Sequence, residues 1–374
     1  MAKKANGSAV TKTINLALQG GGSHGAFTWG VLDALLEDGR VNFEAVSGTS
    51  AGAMNAVALA DGWRRGGRDG ARERLDVFWR AVARKGMFSP IQRSPWDVWF
   101  GNFSFENSPT FRVYDLMSRV FSPYDTNPLD LNPLRDVVSD VIDFDNVTHC
   151  DAFKCFISAT SVQTGKVRVF ERAEIDCASV MASACLPTIF KAVEIDGVPY
   201  WDGGYGGNPV LFPFFYETET EDCLLVQINP IDRQELPRTA QEIQDRMSEI
   251  TFNAGLLREF RAIEFVRKLK DAGRLEGTNY SSIRMHRIAA DPVVDNLSAS
   301  SKLNAELDFL LYMRDTGRAA AEDFLETSFD KIGVEPTLNL EEEIKVQLQA
   351  VKPDERPVGR RLTDAFKRFG RRRV

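Results

Sequence analysis

Two short apolar runs near the start of the chain each end abruptly in glycine, and each is followed at once by a helical pattern. The first run, Ile14 to Leu18, stops at Gly20-Gly21-Gly22; beyond it Phe27, Val31, Leu32, Leu35 and Leu36 recur near the helical period until Gly39. The second, Glu44 to Ser47, runs into Gly48-Thr49-Ser50-Ala51-Gly52 and an alanine-rich helix expected over Ala51 to Ala60. Strand, glycine turn and helix, twice in succession, leave few architectures open. Strands joined by helices lie parallel, and a parallel sheet must be covered on both faces. The expected fold is a three-layer α/β/α arrangement with a mainly parallel central sheet.

Further along, Phe153 to Ala159 and Val167 to Glu171 form a hairpin pattern around Gln163-Thr164-Gly165-Lys166, and Val193 to Trp201 folds over a turn at Asp196-Gly197. Leu224 to Ile228 reads as another buried strand. After Thr239 the pattern is mainly helical, over 240–272, 301–327 and 340–350, with one strand-like stretch from Ser281 to Ile288. Between Trp96 and Tyr124 lies a loop-like segment dense in aromatic residues with no clean period; such a segment either packs a satellite core or covers an apolar cleft.

Gly48 to Gly52 matches G-x-S-x-G, the elbow in which a serine sits at a sharp strand-to-helix turn with its hydroxyl exposed. The glycines remove Cβ atoms that would clash there, and the helix N-terminus favours a developing oxyanion. Gly20 to Gly25, GGGSHG, fits G-x-G-x-x-G, which serves either a dinucleotide phosphate or a transient oxyanion. The acidic residue that should end the second strand of a dinucleotide site is missing there: Glu44 begins that strand, and GTSAG ends it. Asp202-Gly203-Gly204 is a third glycine-flanked polar turn, uninformative by itself.

In this order the three motifs resemble the patatin-like phospholipase family: a glycine-rich oxyanion loop, a G-x-S-x-G serine and a distal D-G-G aspartate. The likeness covers about residues 14–210 and includes the small-residue stretch Ala182-Ser183-Ala184-Cys185-Leu186-Pro187. It departs at His24 in the glycine loop and at Leu186, where a smaller residue is usual. The resemblance implies a lipid acyl hydrolase without cofactor or metal. In it Ser50 attacks an ester carbonyl, Asp202 orients or deprotonates it, and the N–H groups of Gly20, Gly21 and Gly22 hold the oxyanion. Gly25, Gly48, Gly52, Gly203 and Gly204 shape the turns, and water resolves the acyl-enzyme. The expected organisation is a polar tail (1–12), a patatin-like catalytic domain (13–213), a mainly helical extension packed on it (214–332) and a terminal helix with a basic tail (333–374).

Such a dyad needs no histidine, which suits a chain with three. A triad esterase using His286, which follows Asp202 in the order Ser, Asp, His, is the alternative. The net charge of −7 is unlike that of a nucleic-acid binder. The last fifteen residues are the exception: Arg360, Arg361, Lys367, Arg368, Arg371, Arg372 and Arg373 face one acid, Asp364. With Leu362, Phe366 and Phe369 at helical spacing, they read either as an interfacial amphipathic helix meeting anionic membrane lipid or as a solvated end. No apolar h-region follows the basic N-terminus, no run reaches the roughly 18 apolar residues of a membrane span, and five irregularly spaced cysteines suit reduced thiols. The expectation is a cytoplasmic protein, at most peripheral to a membrane.

Overall fold

The computed structural model describes residues 10–345 except 234–235, 279, 281 and 295–296. Eight strands form one sheet: β1 (Lys12–Leu18), β2 (Val41–Gly48), β3 (Lys154–Ser161), β4 (Val167–Glu171), β5 (Val193–Ile195), β6 (Val198–Asp202), β7 (Asp222–Gln227) and β8 (Arg284–Ala289). The principal helices are α1 (Gly25–Asp38), α2 (Ala51–Gly86), α3 (Cys177–Ser183), α4 (Ala240–Asp271) and α5 (Leu307–Thr327). Neighbouring pairs β3-β2, β2-β1, β1-β7 and β7-β8 are parallel, while β4, β5 and β6 pair antiparallel.

The alternation along β1 divides the interior in two. Ile14, Leu16 and Leu18 point into a core shared with α1, α2 and α5; Ala17 points into a second core with Leu256, Phe260 and Ile263 of α4. Both faces of the sheet are thus covered, as a parallel sheet requires. Four of the five cysteines are buried and Cys177 is half-buried; all are free thiols.

Several elements are longer than the sequence suggests. The alanine-rich helix continues to Gly86, interrupted at Gly66-Gly67, where the backbone leaves the helical region. Residues 214–332 contribute β7 and β8 to the same sheet. α5 also crosses α1 at backbone contact: a Cβ on Gly30 would lie 1.9 Å from the Arg314 carbonyl oxygen, and one on Gly317 would lie 2.0 Å from that of Phe27. The aromatic segment is not a structureless loop. It holds three short helices, Pro95–Trp99, Pro109–Ser118 and Pro123–Thr126, each begun by a Ser-Pro pair that supplies an N-cap residue and a preset first φ. The terminal helix is described over Leu340–Glu343. The rest of the 340–350 stretch beyond Lys345, the basic residues Arg360 to Arg373 and residues 1–9 lie outside the described residues.

The arrangement around β3 matters most for the site. Phe156 and Ile157 pair with both β2 and β4, and Ala159 and Thr160 pair with both β4 and β6. A strand has two edges, so β4 occupies one and β2 and β6 share the other. β2 rises to Gly48 opposite Ile157; β6 descends to Asp202 opposite Ala159. The two strand ends meet head to head with only Ser158 between their partners.

Candidate active site

Ser50 follows the end of β2 and precedes α2, with φ 55° and ψ −121°. A non-glycine residue at positive φ is strained, and such strain persists only where the surroundings enforce it. Here they do. The Ser50 N–H donates to Ser183 Oγ at 2.8 Å, and Thr49 Oγ1 lies 2.6 Å from Ser158 Oγ and donates to the Gly207 carbonyl at 3.1 Å. Gly48 and Gly52 face each other across the turn, and a Cβ on Gly52 would come within 2.1 Å of the Leu18 carbonyl oxygen.

The glycine loop lies directly on this elbow. A Cβ on Gly20 would stand 2.7 Å from the Ser50 Cβ, and Gly22, at φ 60°, abuts the Lys302 carbonyl. Gly25 opens α1 and packs on Ala51. Buried amides fix the loop from behind. Asn208 Oδ1 accepts the Gly20 N–H at 2.6 Å, while Asn229 Nδ2 donates to the Gly20 carbonyl at 2.6 Å. Gln19 Oε1 accepts from the N–H groups of Ile228 and Asn229, both at 2.7 Å, and its Nε2 donates to Asn253 Oδ1 at 3.0 Å. The Gly20 N–H is therefore taken. Those of Gly21 and Gly22 donate to no described residue.

Asp202 ends β6 and is fully buried. Its Oδ1 accepts the Gly204 N–H at 2.7 Å; Oδ2 has no hydrogen-bond partner among the described residues. Burial pushes its carboxyl up to about 7, against the opposing pull of the Gly204 N–H and the nearby Ser50 hydroxyl. Gly203 sits against the Ser158 carbonyl and Gly204 against Phe252. A serine hydroxyl and a buried carboxylate with a free oxygen thus lie together, beside a glycine loop that has two unengaged N–H groups. That set of groups can add an oxygen nucleophile to a carbonyl and stabilise the charge that results.

His24 closes the glycine loop. It is buried, its Nε2 lies 2.7 Å from Ser301 Oγ, and burial, helped by Lys302 and Arg233, lowers its pKa well below the ordinary value. His286 lies elsewhere. It is on β8, the third strand from β2 and so about 14 Å across at the usual strand spacing. Its ring nitrogens lie 3.0 Å from Asp222 Oδ1 and 3.1 Å from Thr337 Oγ1. Glu44, the acid considered for a ribose, lies in the middle of β2, which begins at Val41, and its carboxylate accepts the N–H groups of Glu219 and Thr220.

A family model for patatin-like phospholipases matches residues 16–215, more than half of the chain. The chain belongs to the patatin-like phospholipase family. Membership in this phospholipase family supports lipid hydrolase activity. Among solved structures, the chain is similar to VipD from Legionella pneumophila, at 14% identity over 87% of this chain and 69% of that one, with TM-score 0.41. It is also similar to the type III effector ExoU, at 13% identity and TM-score 0.32, over 85% of this chain and 54% of that one. In a third structure, at TM-score 0.28 and 13% identity over 90% of this chain and 77% of that one, ExoU from Pseudomonas aeruginosa is bound to SpcU. The chain spans about half the length of the former ExoU structure. No curated protein matches the chain.

The sequence pointed to the motifs but not to their supports. Ser183 lies within the small-residue stretch and Asn208 follows the D-G-G turn, so both were in view without a role. Gln19, Asn229 and Asn253 carry no motif at all. No helix among the described residues is long and apolar enough to cross a membrane.

Proposed function

We propose that this patatin-like protein cleaves carboxylic ester bonds of lipids through a Ser50–Asp202 dyad and an acyl-enzyme. The observation that carries the proposal is the pairing of a strained, elbow-borne Ser50 with a buried Asp202 whose Oδ2 has no other partner. In the first half-reaction Asp202 Oδ2 takes the Ser50 Oγ proton as Oγ adds to the ester carbonyl. The carbonyl oxygen, now an anion, accepts the N–H groups of Gly21 and Gly22; Gly20 acts through its shape and its anchoring. Collapse breaks the ester C–O bond, and the leaving alcohol recovers the proton from Asp202. In the second half a water gives its proton to Asp202 and its hydroxide to the acyl carbon. Ser50 leaves with that proton, and a carboxylic acid is released.

The reading also assigns the basic residues Arg360 to Arg373 to peripheral contact with anionic lipid, consistent with a cytoplasmic enzyme that works at a membrane face. A fluorophosphonate probe tests the core of the proposal: wild type labels covalently at Ser50, and Ser50→Ala neither labels nor turns over a nitrophenyl ester. Loss of turnover should be on the order of 10⁶, as for other cooperative nucleophile units. Retention of a tenth of the wild-type rate by purified Ser50→Ala removes the assignment.

A further inference from the structure

Among the described residues, half of the large apolar side chains that stand exposed fall between residues 87 and 131. The turn Pro95–Trp99 is built inside out. Its charged residue, Asp97, points inward and is buried, accepting hydrogen bonds from Ser94, Asn102 and Asn107. Its aromatic residues point outward: Trp96 is 74% exposed, Trp99 82% and Phe100 75%. A turn in water minimises its exposed apolar area by the opposite choice. The polar hub fixes the turn, so the aromatic tip is a held conformation.

The segment is rooted on both sides of the active site. At one root the Phe105 N–H donates to Ser300 Oγ at 3.0 Å, Asn304 Nδ2 donates to the Phe103 carbonyl at 3.0 Å, and the Arg93 guanidinium binds Glu306 and Asp308. Ser301 and Lys302, between these anchors, pack on His24 and Gly22 of the glycine loop. At the other root the Ala192 N–H donates to the Tyr124 hydroxyl at 3.3 Å and Lys191 Nζ donates to the Pro128 carbonyl at 3.0 Å. Lys191 in turn accepts from Cys185 Sγ at 3.0 Å through its carbonyl, and the Cys185 carbonyl accepts the Asp202 N–H at 2.8 Å. An uncharged aromatic tip is therefore carried by a strap that joins the loop beside Ser50 to the loop behind Asp202.

We infer that residues 94–131 form an interfacial docking surface whose Trp96, Trp99 and Phe100 enter the headgroup and acyl boundary of a lipid surface, presenting the active site to it. Aromatic side chains of this kind settle at membrane–water interfaces. The inference rests on the reading of the site as a lipid hydrolase and adds where the lipid is met. Because the exposed side chains of the tip are uncharged, its attachment requires no anionic lipid and is not screened by salt, unlike attraction to a basic segment.

The test uses the full chain, vesicles of pure phosphatidylcholine and the exposed double variant Trp99→Ser/Phe100→Ser, with Trp96→Ser as an independent second. Wild type should sediment with the vesicles equally in low and high salt, and its tryptophan emission should shift to the blue. Each variant should bind at least about tenfold more weakly and lose vesicle hydrolysis in proportion, since interfacial affinity follows buried apolar area. Hydrolysis of a soluble short-chain ester and the melting temperature should not change. Equal vesicle binding by wild type and variants, or binding that vanishes in high salt, overturns the inference. So does conversion of a dimer to a monomer by the variants without any effect on vesicles, because the face then belongs to a second copy of the chain. Absence of ester hydrolysis alongside intact, tip-dependent vesicle binding instead overturns the catalytic reading and leaves the docking surface standing.

Discussion

Asn208 grips Gly20 at both ends of its backbone: Oδ1 accepts the Gly20 N–H at 2.6 Å and Nδ2 donates to the Gly20 carbonyl at 3.3 Å. The grip consumes a donor that a glycine loop might otherwise offer to substrate, and it sets the direction of the two that follow. On the proposed mechanism Asn208 is a positioning residue. Asn208→Ala should lower kcat by about 10- to 100-fold with little change in KM, the scale on which small misplacements of a reacting group act. Asn208→Asp, which keeps the acceptor and loses the donor, should fall between. Steady-state kinetics on a soluble ester measure both, and an unchanged kcat in Asn208→Ala would show that the loop holds itself.

Asp202 must be ionised to take a proton, and its carboxyl is raised to about 7. kcat/KM should therefore rise with pH through a midpoint near 7 and level off above it. The same shift has a thermodynamic sign. The folded protein holds the Asp202 proton up to about 7, whereas an unfolded aspartate releases it near 3.9. Stability is thus highest below the unfolded value and is lost as pH rises from there through the folded value. Asp202→Asn abolishes that loss along with activity, so its melting temperature should exceed that of wild type at pH 8 and approach it at pH 4. Thermal melts at the two pH values decide; a variant less stable than wild type at pH 8 contradicts the burial argument.

For His286 the dyad and the triad predict different magnitudes. His286→Ala should change kcat by less than about tenfold, whereas loss of a triad member costs roughly 10⁴. It should nonetheless destabilise the fold. Burial works to raise the Asp222 pKa, yet the hydrogen bonds from His286, Arg284 and the Gly333 N–H prevail and hold it far below the usual carboxylate range. Removing His286 leaves a buried carboxylate short of a partner. The melting temperature should fall at neutral pH, and the deficit should shrink in acid, where the variant's Asp222 takes up a proton before the wild type's does.

Truncation after Lys352 should weaken sedimentation with anionic vesicles at low salt while leaving soluble-ester hydrolysis unchanged. Each basic residue at an anionic surface contributes about 1 kcal/mol, screened over roughly 8 Å at physiological salt. The difference between full-length and truncated protein should accordingly close as salt rises. Equal binding at low salt would return the segment to a solvated end.

Reading the sequence succeeded where a residue type is forced by geometry. Gly20, Gly48 and Gly52 stand where any Cβ would strike backbone or Ser50, so these turns could be found from glycine spacing. The two-residue turn at Asp196-Gly197 was legible for the same reason, both residues having positive φ. The amide clamp was not legible, because Gln19, Asn208, Asn229 and Asn253 meet through tertiary contacts that leave no period in the sequence. The helices between Trp96 and Tyr124 did leave a trace. Ser94-Pro95, Ser108-Pro109 and Ser122-Pro123 are start signals, but aromatic residues facing solvent break the periodicity that helix detection uses.

β2 and β6 end facing each other on one edge of β3, and Ser50 and Asp202 are the residues at that junction. The spacing between hydroxyl and carboxylate is consequently gauged by the hydrogen-bond register of β3, not by the length of chain connecting them. About 150 residues separate the two in sequence, and insertions or losses within that stretch leave the gauge untouched so long as the register holds. The strap carrying Trp96, Trp99 and Phe100 lies in that stretch. Descendants of such a chain are free to rebuild what approaches the site, generation by generation, while inheriting unchanged the interval between Ser50 and Asp202.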